Sequence, residues 1–359
     1  MTSDRPVVRS LTTLALASVA VIGAALISSC STPPPPPPPA APPPPPAPPA
    51  ISLSDSLVHD AAAYQAYMSR VAAITPDFRS GDDVANSLKT GDSYDPQQLL
   101  RGSIAYAAIV ALQDPTFVSQ VRVFAANPTS RPLLTEDLIN NPSYVVGIKG
   151  VDSAAGLVIA TMMGQGQKLY SSGEAVKQSA YSIQRQSWSQ QLVVSRDQRL
   201  SDAKSVSNTA LISTTEDAAR LQQAAMGVAP LGLTPAAPAN QPYPQVVVRG
   251  LALAALAVLG EAGDDQAARI GPIVNETSTA SCLSMAKLNL YQCLAVSKPH
   301  YEDIFCLGQH VMMDTGQCVM IAAGSPPPVY TPVAQSKTEV AYAPAATGKK
   351  KKRAKKDAP

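Results

Sequence analysis

Between Pro33 and Pro49 the chain reads PPPPPPPAAPPPPPAPP, fourteen prolines in seventeen positions. Each proline holds φ near −65° and carries no N–H, so this run can join neither a helix nor a sheet. It is predicted to adopt polyproline II, rising about 3.1 Å per residue and reaching on the order of 50 Å. No compact fold can pass through such a spacer. The chain therefore divides here into a short leader and a body beginning at Ile51.

The leader has three parts. Arg5 and Arg9 against Asp4 open it, an uninterrupted apolar and small-residue run follows from Leu11 to Ile27, and Ser28-Ser29 precede Cys30. A basic start, an apolar middle and small residues at the cut describe a secretory signal peptide. The apolar run holds 17 residues, where a membrane-spanning helix needs about 20. Proline, not a basic stop-transfer cluster, comes after it, so a transmembrane anchor fits less well. Ile27-Ser28-Ser29-Cys30 resembles the lipobox of bacterial lipoproteins: an aliphatic residue, two small residues, then cysteine. The resemblance covers only the first 30 residues. It implies that signal peptidase II cuts before Cys30, that the Cys30 thiol carries a diacylglycerol and that the freed amine is acylated. Ser31 stands where many inner-membrane lipoproteins carry aspartate, which by the family's rule implies transport to the outer membrane. The expectation is a cell-envelope lipoprotein, on the periplasmic side of the outer membrane, held to it by lipidated Cys30 with the prolines as tether.

Charge is spread unevenly along the chain. The formal total is +2. Lys349, Lys350, Lys351, Lys352, Arg353, Lys355 and Lys356, less Asp357, place +6 on the last eleven residues. The leader adds +1, which leaves −5 for residues 30–348. A polybasic end on a Pro/Ala/Ser/Thr-rich stretch reads as a contact for anionic surfaces. In an envelope those are phospholipid headgroups or the carboxylates of peptidoglycan. Nucleic acid is not an expected partner, because export separates the chain from it.

The body is predicted to be all-α, an alanine-rich helical bundle ending in a disulfide-stapled helical hairpin. Aromatic residues are only 5% of the chain, which favours helices packed closely through small side chains. Leu53, Leu57, Val58, Ala61, Tyr64, Met68 and Val71 recur at steps of three and four, marking a helix over 51–73 that Ser52 or Ser54 could cap. Pro76, Gly81 and Gly91 read as a loop. Pro96 and Asp114-Pro115 read as helix starts, Thr135-Glu136-Asp137 as a third. Residues 151–226 lack proline and read as long helices, a hairpin broken near 195–202. Gly164 and Gly166 read as a loosely packed helix end, with a close backbone approach as the alternative. The Pro/Ala segment 229–245 reads as a linker, and VVVRGLALAALAVLG after it as a buried core helix rather than a span. The predicted organisation is a signal peptide 1–29, lipidated cysteine and tether 30–50, helical domain 51–228, linker 229–245, helical segment 246–324 and a disordered tail 325–359.

Motifs that would carry chemistry are missing: no G-x-S-x-G elbow, P-loop, dinucleotide fingerprint or H-E-x-x-H occurs. Asp82-Asp83 and Asp264-Asp265 sit beside glycines and read as solvated turns. Cys282, Cys293, Cys306 and Cys318 are separated by 10, 12 and 11 residues, unlike the close pairs of a zinc site. With an oxidising destination they are predicted to form disulfides, with no metal and no cofactor. Within a helix Cys282 and Cys293 stand about 16 Å apart, beyond the roughly 7 Å Cα separation a disulfide allows. The same holds for Cys306 and Cys318. Lys298-Pro299-His300 breaks the segment into two antiparallel helices, and the pairs Cys282–Cys318 and Cys293–Cys306 are both centred on Pro299-His300. Those two nested staples are the predicted pairing. The geometry resembles that of twin-cysteine coiled-coil-helix domains, which space their cysteines differently.

The function expected from this reading is non-catalytic: a tethered helical scaffold or binding module with a protein partner and a basic tail. An envelope hydrolase without recognisable motif, or an accessory subunit of an export machine, are the alternatives.

Overall fold

The computed structural model describes residues 47–326, so Cys30, the signal segment, most of the proline run and the basic tail lie outside the described residues. Among the described residues there are thirteen α-helices and no strand, only two isolated bridges. In order they are α1 (Asp55–Ala72), α2 (Gly81–Asp92), α3 (Pro96–Ala111), α4 (Pro115–Ala125) and α5 (Ser130–Asn140). Then come α6 (Val151–Ile183), α7 (Arg196–Val206), α8 (Thr215–Ala225), α9 (Gln245–Val258) and the short α10 (Ala267–Ile270). The last are α11 (Thr277–Val296), α12 (His300–Cys306) and α13 (Asp314–Ala322). A π-helical turn, Leu307–Met313, joins α12 to α13 without a break in the helix.

Local chemistry sets six of the helix starts. The side chains of Ser54, Ser80, Asp95, Asp114, Thr214 and Glu276 each accept a backbone N–H of the first turn. Such caps satisfy orphan donors and stabilise a helix by about 1 kcal/mol each. Pro96 and Pro115 occupy the first helical position, where a missing N–H costs nothing.

The centre of the molecule is α9 laid against α3. Twelve of the fourteen residues of α9 are buried, as are twelve of the sixteen in α3. Glycine and alanine bring the two axes together: a methyl added at Gly250 would lie 2.6 Å from the Ala107 Cβ. On the other flank α1 packs on α3, with Gly102 against the Tyr64 Cβ at the same kind of distance, 2.7 Å. Alanine-rich sequence thus becomes close helix approach, as composition implied.

Several sequence expectations need correcting. Residues 81–92 are a helix, not a loop; Ser80 caps it, and Asp82 and Asp83 sit in its first turn, favourable to the helix dipole. Gly81 lies under the His300 ring and Gly91 under Val311, so both glycines serve close packing rather than a turn. Asp264 and Asp265 do form an exposed turn beside Gly263, where Asp264 Oδ1 accepts the Asp55 N–H at 3.0 Å. The break after α6 falls at 184–195, and residues 195–202 mostly belong to α7. Gly166 is not a loose helix end: it sits within α6, where an added methyl would lie 2.8 Å from the Gly316 carbonyl oxygen, whereas Gly164 faces open space.

The Pro/Ala segment does not separate two bodies. The Ala239 N–H donates to the Asp152 oxygen at 2.9 Å, Gly156 lies against the Ala237 carbonyl, and α9 completes the core built by α1 and α3. Proline stops this stretch from being helical, yet its backbone is pinned along α6. Residues 51–324 accordingly share one core.

Candidate functional site

The C-terminal segment forms the predicted hairpin. Cys282 is bonded to Cys318 and Cys293 to Cys306, each with Cα atoms 5.7 Å apart. α11 is one arm, α12 through α13 the other, and Pro299 starts the second arm. The second arm also runs antiparallel along α6. Gly173 meets the Gly308 carbonyl and Gly166 the Gly316 carbonyl, so four glycines let α6 and the second arm approach at backbone distance.

Two buried ion pairs anchor this hairpin to the rest of the fold. Lys287 Nζ of α11 donates to Asp92 Oδ1 at 2.8 Å at the end of α2 and lies 3.8 Å from the Tyr94 ring centroid. Both members are nearly inaccessible, at 7% and 2% side-chain exposure. Burial pushes the Asp92 carboxyl up to about 6, against the pull of Lys287, and brings the Lys287 ammonium down to about 8. Asp92 Oδ2 has no hydrogen-bond partner among the described residues. Tyr67 donates to the Gly91 oxygen at 2.9 Å, and the Tyr94 hydroxyl lies 3.3 Å from Thr315 Oγ1, closing a polar seam between α1, α2, α11 and α13.

The second pair is Arg199 of α7 with Asp303 of α12. The Arg199 guanidinium also donates to the Leu294 oxygen, and Arg196 donates to the Ser297 and Ala295 oxygens at 2.8 Å. Ser297 donates to Asp303 at 2.7 Å. Two guanidinia thus sit on the C-terminal carbonyls of α11, the negative end of its dipole. Burial raises the Asp303 carboxyl, opposed by Ser297 and Arg199.

Beside this pair, between α2 and α7, a cleft of about 540 Å³ opens. Its floor is apolar: Leu88, Val193, Ala203, Val206 and Leu294. Its rim is polar, with Asn86, Lys89, Gln198 and Asp202. An apolar floor under a polar rim suits a small amphipathic group or the side chains of a partner segment. No nucleophile–base pair lines it. Nor do three His, Cys, Asp or Glu residues anywhere among the described residues converge where a metal could be held.

Cys282, Cys293, Cys306 and Cys318 were all predicted, and the structure brings them together as predicted. Cys30 and the seven basic residues from Lys349 to Lys356 lie outside the described residues. Sequence reasoning missed the ion pairs and the cleft. The only signal was that α11 carries a single charged residue, Lys287, on an otherwise uncharged helix. No helix among the described residues is long and apolar enough to cross a membrane. Compared with known proteins, the chain matches no family model, no curated protein and no solved structure.

Proposed function

We propose that this chain is a non-catalytic envelope lipoprotein: a helical binding module held at a membrane by lipidated Cys30 and a polyproline tether, with a basic tail as second contact. The observation that carries the reading is Ile27-Ser28-Ser29-Cys30 followed at once by the proline run. A cysteine that becomes an acylated N-terminus needs a spacer between the headgroups and a folded body, and these prolines supply it. The two staples fit an oxidising compartment, where disulfides persist. The α2–α7 cleft is the place on the body where a partner group would seat.

Cys30→Ala tests the anchor. The wild-type chain is expected in the membrane fraction with its mature N-terminus at Cys30, since more than one acyl chain gives stable attachment. The variant is expected uncleaved or soluble; normal maturation and fractionation of the variant would refute the reading. Removing residues 349–359 tests the tail. Each basic residue near an anionic surface contributes on the order of 1 kcal/mol, so the deletion should weaken salt-sensitive binding to anionic vesicles or isolated cell wall. Crosslinking in intact cells separates the module from a hydrolase, by recovery of a protein partner rather than glycan fragments alone.

A further inference from the structure

The α2–α7 cleft has no aromatic and no sulfur-bearing side chain in its lining. Its apolar surface is leucine, valine and alanine alone, with Ala85 on the α2 wall near Leu88. Such a floor offers no ring face on which a sugar, a nucleobase or a proline could stack. It suits an aliphatic group.

Size narrows the choice further. A helix with its side chains is about 10–12 Å across and rises about 5.4 Å per turn, so a single turn takes up on the order of 400–600 Å³. One turn would therefore use up the whole 540 Å³ of the cleft. An extended peptide brings a backbone N–H and C=O with every residue and docks best on a free sheet edge. The main walls here are helices, whose own backbone groups are already paired. An unbranched hydrocarbon chain has no polar group along its length and needs no such partner.

Three charged side chains line the cleft. Arg199 is paired with Asp303. Asp202, on the α7 wall, accepts the Gln198 amide at 2.7 Å. Lys89, on the α2 wall with Asn86 one turn before it, is exposed and has no ion-pair partner among the described residues. An unmatched ammonium at the mouth of an aliphatic floor is complementary to a chain with an anionic head.

We propose that the cleft between α2 and α7 binds the acyl chain of a single-chain lipid, with its anionic head on Lys89. The choice rests on the reading above of this cleft as a binding seat on a membrane-tethered body, since single-chain lipids arise where bilayer phospholipids are hydrolysed. A free fatty acid and a lysophospholipid share the required chemistry.

The chain from Ser31 to Pro359 keeps the whole core and carries no lipid, so it can be handled without detergent. It is titrated calorimetrically with octanoate, decanoate, laurate and lauroyl lysophosphatidylglycerol, each below its micelle-forming concentration. Saturable binding at one site is expected, tightening roughly two- to fourfold for each added CH₂ as the floor fills. Tighter binding of the lysophospholipid than of laurate names phospholipid as the source, and the reverse names free fatty acid. Ala85→Trp, at an exposed position of the α2 wall, should obstruct the cleft and weaken laurate at least about tenfold with Tm unchanged. Lys89→Glu should weaken laurate by a similar factor and turn the preference to dodecyltrimethylammonium, which has a cationic head. The proposal is overturned if neither lipid saturates, if affinity is independent of chain length, or if both variants bind laurate as the wild type does. A protein segment crosslinked across α2 and α7 in intact cells, with no lipid bound by the purified chain, gives the cleft to a partner's side chains and equally overturns it. Lipidation of Cys30 does not enter the titration, so a failure of the anchor reading appears separately, in fractionation.

Discussion

Replacing Lys287 by methionine keeps most of the apolar stem, one atom shorter, and removes the ammonium together with its bonds to the Asp92 carboxylate and backbone oxygens. In the native fold Nζ holds Asp92 Oδ1 at 2.8 Å, and Oδ2 of the same carboxylate has no partner among the described residues. Methionine would leave a carboxylate almost fully out of water with nothing opposite it. Removing one partner of such a pair costs about 3–5 kcal/mol, because the other charge stays buried and unmatched. For a body of this size that corresponds to a fall in Tm of roughly 5–9 °C. Loss of the cation over Tyr94 adds to it.

The pH dependence follows from the directions of the two shifts. Asp92 is raised to about 6, so between the ordinary carboxylate value and about 6 the folded chain holds a proton the unfolded chain has lost, and this contribution falls as pH rises. Lys287 is lowered to about 8, so between about 8 and its ordinary value the unfolded chain holds the extra proton, and this contribution rises with pH. In Lys287→Met the upper limb disappears. The lower limb extends past 6, since the cation that opposed the rise of Asp92 is gone. The destabilisation relative to wild type should therefore grow from pH 5 to pH 8. Adding Asp92→Asn removes the stranded charge and should recover much of the loss, with a coupling of roughly 1–3 kcal/mol in the double-mutant cycle. Urea denaturation of the four chains at pH 5, 7 and 8 measures all of this. A single-variant cost under about 1 kcal/mol, equal at pH 5 and pH 8, would refute the argument.

The other expectations concern the hairpin and its neighbours. Cys282→Ser/Cys318→Ser opens the longer loop, with a separation of 36, and should cost about 4 kcal/mol against about 3 for Cys293→Ser/Cys306→Ser with a separation of 13, read by thermal denaturation. Gly173→Ala places a methyl 2.6 Å from the Met312 Cβ and should destabilise by about 1–3 kcal/mol, whereas Gly164→Ala meets nothing and should stabilise by up to about 1 kcal/mol. Arg199→Ala strands Asp303 and frees the start of α7, so hydrogen exchange should quicken across 196–206 while the centre of α6 stays protected; unchanged exchange in α7 would count against the latch.

What could be read from the sequence was what short-range chemistry fixes. Asp95-Pro96 and Asp114-Pro115 announce their helices because cap and first turn are adjacent in the chain. The cysteine pairs could be read because a helical hairpin about Pro299-His300 leaves few geometries for a disulfide. α2 was lost because Gly81 and Gly91 look like turn residues until His300 and Val311, more than 200 positions away, are seen to occupy the space where side chains would be. The Asp92–Lys287 and Arg199–Asp303 pairs were hidden for the same reason: partners separated by 195 and 104 positions leave no local pattern. The Pro/Ala segment misled in the opposite direction. Its composition forbids a helix but says nothing about whether an extended backbone lies against the core.

The hairpin also explains why the stretch after α6 has a fixed place despite its polar sequence. α7 buries only Ala203, and its remaining apolar residues are too few to hold it. Its position is set instead by the turn of the hairpin. The Val193 N–H donates to the Lys298 oxygen, the His300 N–H to the Gln191 oxygen and the Tyr301 N–H to the Ser189 oxygen, and Arg196 and Arg199 reach the last carbonyls of α11. Those carbonyls are available because Pro299 ends α11 and starts α12, and the Cys293–Cys306 bond holds the two arms on either side of that turn. One staple therefore fixes a loop whose exposed polar atoms receive a segment that could not dock by apolar burial. The cleft between α2 and α7 is a consequence of this arrangement: α7 is held at one end by ionic and backbone bonds, and the space beneath it is left unfilled.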